Sequence, residues 1–183
     1  MKLRIGRKLL GITSDEFENW SCKFTLSEWK EFQCENSRDD AIGENIFLVL
    51  RRDDERTPEE LGPGGYQSGL NWVIQNSSAI RESAIDAIFN YVHETLLGEY
   101  KLDDPDLRKI KRKEKLKKAI DPSYLHLFPH SKEDVPYFAL EFECSWDPEH
   151  GCGVMFWGNN VVEVGVSDTA QGGFDIAGHG GKI

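Results

Sequence analysis

A chain of 183 residues is more than one hydrophobic core needs and less than two ordinary domains occupy, so a single domain is expected. With 39% hydrophobic residues, including five Trp, ten Phe and five Tyr, it has enough large side chains to offset the entropy of ordering, which excludes a disordered polymer. A formal charge of −10 and a pI near 5.0 disfavour nucleic acid and anionic membranes as partners, because the mean field repels phosphate.

The opening Met1 to Lys8 is basic but runs into no long apolar stretch. No secretory or membrane-spanning segment is expected there, and the expected compartment is cytoplasmic. Leu9, Leu10 and Ile12, then Trp20, Cys22, Phe24 and Leu26, alternate with polar residues at period two, which predicts strands. Ser27 to Phe32 fits either a short helical turn or a strand continuation. Ile46 to Leu50 is an apolar run bounded by the Asp39-Asp40 pair and by Arg51-Arg52-Asp53-Asp54, the pattern of a strand buried on both faces.

Thr57-Pro58-Glu59-Glu60 has the grammar of a helix start, with a capping hydroxyl, Pro at the first position and Glu at the third. Gly62-Pro63-Gly64-Gly65 stops it, and a second helix follows with Leu70, Val73 and Ile74 on one side. Asn76-Ser77-Ser78 ends that helix and caps a third, in which Ile80, Ala84, Ile88, Tyr91, Val92 and Leu96 form an apolar stripe about five turns long. Residues 101–118 then form an insertion-like segment in which eight Lys and Arg crowd between Arg108 and Lys118. Without interleaved aromatics to stack on bases, this segment reads as a solvated face set against an acidic domain, with Leu107, Ile110 and Leu116 as a thin apolar edge.

Tyr124 to Phe128 predicts a short strand ended by Pro129, and Pro136 introduces another through Trp146. In that strand Phe138, Leu140, Phe142 and Cys144 alternate with Ala139, Glu141, Glu143 and Ser145, which predicts one core face and one acidic face. Asp147 to Gly151 is a turn by composition, Val154 to Trp157 a strand, Gly158-Asn159-Asn160 a tight turn, and Val161 to Val166 a last strand. The expected fold is therefore α+β: an antiparallel sheet of about six to seven strands, a helix pair packed on one face, and a C-terminal β-meander. Residues 1–171 form the expected domain, and the glycine-rich 172–183 is expected to be a flexible tail with little to bury.

The stretch from Glu141 to Val154, containing Trp146-Asp147-Pro148-Glu149-His150-Gly151-Cys152-Gly153, resembles the signature of an uncharacterised family of bacterial domains of unknown function. Val161 to Gly165 and Asp168 match the strand and the acid that follow that signature, and the similarity extends more weakly back to Trp20. The resemblance implies a small α+β domain, sometimes encoded near toxin-immunity gene pairs, and carries no established activity.

Asp147, Glu149 and His150, beside Glu141, Glu143, Trp146 and Asp168, have the residue types of a hard-metal or acid/base site. The bland reading is that Asp147 caps the turn and the glutamates line a solvated sheet face, since His126, His130 and His179 are scattered and Ser145 lacks a nucleophile-elbow context. Cys22, Cys34, Cys144 and Cys152 are spaced too widely for a closed zinc site and read as reduced strand cysteines, so no metal or cofactor is expected. Two functions follow. One is a non-enzymatic, acidic protein-binding domain, immunity-type or regulatory, whose partner has a basic surface. The other is a metal-assisted hydrolase or small-ligand-binding domain centred on the Asp147/Glu149/His150 turn.

Overall fold

The computed structural model describes residues 1–15, 20–34, 45–53 and 56–182. The Asp39-Asp40 pair and Asp54 lie outside the described residues. Lys2–Ile5 (β1) and Lys8–Gly11 (β2) form a separate hairpin. Seven further strands make one sheet in chain order: Thr13–Ser14 (β3), Trp20–Thr25 (β4), Asn45–Leu50 (β5), Ile120–Lys132 (β6), Val135–Cys144 (β7), Cys152–Trp157 (β8) and Asn160–Gly165 (β9). All neighbouring pairs are antiparallel except β5 with β6. A parallel pair needs a long crossover, and residues 51–119 provide it as the helical block.

That block holds Pro58–Leu61 (α1), Gly64–Gln75 (α2), Ser77–Asn90 (α3), which continues as wider turns through Tyr91–Glu99, and Pro105–Lys109 (α4). Thr57 and Glu60 form the expected reciprocal cap. On the third helix Ile80, Ala84, Ile88, Val92 and Leu96 are buried, so the periodic stripe is the packed face. Helix α2 lies on β6 and β7, and α3 lies on β8 and β9. They enclose one core with Leu48, Leu50, Leu125, Leu127, Phe138, Leu140, Phe142, Val154 and Phe156. The α+β expectation holds, with the helices gathered on one face of the sheet.

Three local readings meet the structure, and one of them is corrected. Ser27–Trp29 is a single 3-10 turn, which seats Trp29 edge-on to Phe32 and against Phe142. Pro129 does not end β6, because the pairing with β7 is irregular between Leu127 and Ser131 and no ladder hydrogen bond is required of the proline. The strand runs on to a two-residue turn in which Glu133 and Asp134 both take positive φ (54° and 61°), as a mirror-image hairpin turn demands. The basic segment is folded. Leu107, Ile110 and Leu116 are buried, while Lys113 pairs with Asp86 and Lys117 with Glu31, so part of its charge answers the acidic domain.

The β1–β2 hairpin is tied to α2 by Gln67, whose Oε1 accepts from the Arg4 N–H (2.6 Å) and whose Nε2 donates to the Arg4 carbonyl (2.8 Å). Gln67→Ala is expected to cost about 1 kcal/mol in denaturant unfolding and to speed exchange of the Arg4 amide; an unchanged amide would show that the hairpin is held otherwise.

Candidate functional site

The second face of the sheet, away from the helices, is where the chemistry gathers. Strand register dictates which side chains share it: Phe47 pairs with Tyr124, and Tyr124 with Glu141; one row along, Val49 pairs with His126, and His126 with Ala139. His126 and Glu141 are therefore diagonal neighbours across β6 and β7, within reach of long side chains. Their contact is 2.8 Å from His126 Nε2 to Glu141 Oε2, and the two side chains are only 3% and 13% exposed. The expectation of an open acidic face is thus corrected at Glu141, while Glu163 on the edge strand is exposed.

The cover comes from the C-terminal segment. The turn Thr169–Gly173 crosses β7 and β8, and Gln171 Nε2 donates to both Glu141 oxygens (3.3 and 3.5 Å). The Arg51 guanidinium, one residue beyond β5, donates to the Gln171 carbonyl and faces the Glu141 charge. Tyr124 stacks on His126 (5.8 Å, 26°) and on Phe47 (5.8 Å, 29°), giving the cluster an aromatic floor. Farther on, Ile176 is buried, the Tyr137 hydroxyl meets His179 Nδ1 at 2.6 Å, and Lys182 exchanges two backbone hydrogen bonds with Ser131. The tail therefore does have something to bury: it straps the sheet through Tyr137, Trp157 and Phe174.

Two hollows open on this face. One is a groove of about 400 Å³ lined by Ser21, Phe47, Arg51, Tyr124, His126, Glu141 and Gln171 among others. The other is a cavity of about 660 Å³ between the strap and the ends of β5 and β6. Val49, Arg51 and Gln171 border both.

Electrostatics fixes the protonation states. Burial pushes the His126 imidazole below its ordinary value and outweighs the opposing pull of Glu141, so at neutral pH the pair is a neutral imidazole hydrogen-bonded to a carboxylate, despite its ion-pair distance. The Nε2–H then donates to Glu141, and Nδ1 is left as a buried acceptor with no hydrogen-bond partner among the described residues. Burial also lowers the Arg51 value, with Glu141 opposing it. Cys22, Cys34, Cys144 and Cys152 form no disulfide. Burial raises Cys22 to about 11 and Cys152 to about 12, and raises Cys144 as well, so these three thiols are protonated and poor nucleophiles or ligands.

The turn singled out from the sequence lies elsewhere. Asp147 Oδ1 accepts from the His150 N–H (3.1 Å) and contacts His150 Nδ1 (3.0 Å), and its carbonyl accepts from the Gly151 N–H. Asp147 thus caps its own turn, His150 and Glu149 face solvent, and Trp146 packs at the margin of the main core. The Ser167 N–H donates to the His150 carbonyl, which brings the exposed Asp168 corner beside this turn. Glu143 lies opposite Asp121, half-buried. Of the seven residues, only Glu141 enters the groove. Among the described residues no three His, Cys, Asp or Glu side chains are grouped to hold a metal ion.

His126, Arg51, Gln171 and Tyr124 are the residues that sequence reasoning missed. The histidines looked scattered along the chain, yet His126 lines the groove, His130 lines the cavity and His179 pins the strap, all on one side of the sheet. The β6–β7 register is the signal that finds His126, once β6 is allowed to pass Pro129.

Among the described residues no helix is long and apolar enough to cross a membrane. No curated protein and no solved structure matches the chain. A family model does match, over residues 17–171, the span that holds the whole groove except Asp15. The chain belongs to that family, described as a domain of unknown function (DUF6985).

Proposed function

We propose that this protein is a non-enzymatic binding domain that takes a small polar ligand on the second face of its sheet. The observation that carries the reading is the buried His126–Glu141 contact, flanked by half-buried Arg51 and exposed Gln171, at the floor of an open groove. Apolar side chains at these positions would stabilise the sheet better, because a desolvated ionisable cluster rarely recovers its full desolvation cost. Such clusters sit where orientation of a bound molecule matters, and the size and aromatic floor of the hollows suit a metabolite-sized guest.

The test is a thermal-shift and calorimetric screen of small metabolites. A ligand at a hundred times its Kd stabilises by about 2.7 kcal/mol, worth roughly 5–10 °C in Tm for a domain of this size. Tyr124→Ala, at an exposed groove position, should keep the fold and weaken binding; a ligand bound equally well by that variant would place the site elsewhere and overturn the reading.

A protein partner with a basic surface is the second reading, favoured by the exposed Glu149, Glu163 and Asp168. An immunity-type or regulatory role near toxin genes, which the Glu141 to Val154 stretch suggested, would be of this kind. Its association rate would fall steeply with added salt. A hydrolase centred on Asp147 and His150 has less support, because these residues are bonded to each other on the surface and border neither hollow.

A further inference from the structure

The larger hollow is less acidic than the protein around it, with two arginines and two aspartates in its lining. In a chain of net charge −10, two successive arginines, Arg51 and Arg52, border the cavity of about 660 Å³ under the strap. The carboxylates on the same wall are already engaged. Asp53 accepts from the Arg56 backbone N–H (2.6 Å) and pairs with its guanidinium (3.1 Å), and Asp175 accepts from the Gly178 N–H (2.7 Å). Arg52 forms no ion pair with any described residue, and Arg51 spends one donor on the Gln171 carbonyl.

The strap contributes backbone to the same space. Gly172 takes φ 119°, and a Cβ there would meet no atom within 4 Å, so the chain lines the hollow at this point without a side chain to fill it. His130 also lines the hollow. Guanidinium forks, a histidine and bare backbone around an open hollow form a set that recognises planar or tetrahedral oxyanions.

We infer that the cavity beneath the C-terminal strap is the seat of an oxyanion, a phosphate or carboxylate carried by a small molecule, held by Arg51 and Arg52. This rests on the binding reading above and names its ligand class. The strap then serves as one wall of the site, and Arg51, shared with the groove, connects the anion to the rest of the guest over Tyr124 and His126.

The experiment is calorimetry on the full chain with three probes: inorganic phosphate, citrate, and an uncharged metabolite panel, each repeated with Arg52→Ala and Arg51→Lys. Arg52 is exposed, so its variant should fold normally. The expected result is that phosphate or citrate binds, that the stronger of the two identifies the anion, and that Arg52→Ala raises its Kd at least about tenfold, since hydrogen bonds to a charged group are worth about 1.5–3 kcal/mol. Arg51→Lys keeps the charge but loses the fork, and should weaken binding. Anion binding that is unchanged in Arg52→Ala would overturn the inference. So would uncharged ligands binding in a Tyr124-dependent way with no response to phosphate or citrate, and that outcome would leave the binding reading standing. Silence from all three probes would count against both.

Discussion

Glu141→Ala is expected to lower the unfolding free energy by about 3 kcal/mol, because it removes one partner of a buried pair and leaves the other desolvated. Three groups lose their acceptor or counter-charge together: the His126 Nε2–H, the Gln171 amide and the Arg51 guanidinium. Glu141→Gln keeps an oxygen for His126 and should cost only about 1 kcal/mol. A second measurement separates this cluster from ordinary packing. The folded His126 value lies below the ordinary 6.5, so the unfolded chain binds the proton more readily than the folded one. Stability therefore falls as pH drops below about 6.5, and the loss stops once the folded value is passed. In Glu141→Ala the favourable pull on the imidazolium is gone, the folded value drops farther, and the acid-sensitive window extends to lower pH. His126→Asn should flatten the slope of stability between pH 7 and 5. A slope identical to wild type in His126→Asn would show that burial of this imidazole does not govern the acid response.

The same residues show what could be read from the chain and what could not. Alternation of Phe138, Leu140 and Phe142 with Ala139, Glu141 and Glu143 correctly gave the core face of β7, because one face packs under α2. The stripe from Ile80 to Leu96 and the cap at Thr57 were equally legible, since each depends only on neighbours within a few turns. The second face was misread as solvated. Ala139 is fully buried there and Glu141 largely covered, and the cover is a segment about 30 residues later whose glycines suggested fraying. Nothing local in Gln171 announces that its amide will meet Glu141, or that Arg51, 120 residues earlier, will donate to its carbonyl. His126 was closer to discovery. Ending β6 at Pro129 hid the continuous hairpin to Glu133, and without that hairpin no register placed His126 beside Glu141. The parallel pairing of β5 with β6, which brings Phe47 and Arg51 to the site, is set by the helical crossover and leaves no trace in period-two alternation.

Gly153→Val is expected to destabilise the protein by about 2 kcal/mol and to weaken ligand binding as well, since overpacking a closed contact typically costs 1–3 kcal/mol. The glycine permits a close approach. A Cβ at this position in β8 would lie 2.7 Å from the Ala170 nitrogen, 2.8 Å from the Val166 carbonyl oxygen and 3.1 Å from the Ala170 Cβ. Two of these atoms are backbone, so no rotamer change relieves the clash and the 166–170 turn itself must lift. That turn leads directly into Gln171, whose side chain reaches Glu141 and whose carbonyl accepts from Arg51. Lifting it should undo the border shared by groove and cavity while β7 and its packed face stay in place. Hydrogen exchange gives the local readout: the Thr169 and Ala170 amides, bonded to the Val166 and Ser167 carbonyls at 3.0 and 2.8 Å, should lose protection beyond the global change. The amides of Phe138 to Leu140 should change only with overall stability. If Gly153→Val instead retained wild-type protection at Thr169 and Ala170 yet lost ligand binding, the strap would not be what shapes the site. If it kept both, the close contact between β8 and the turn would carry no energetic weight.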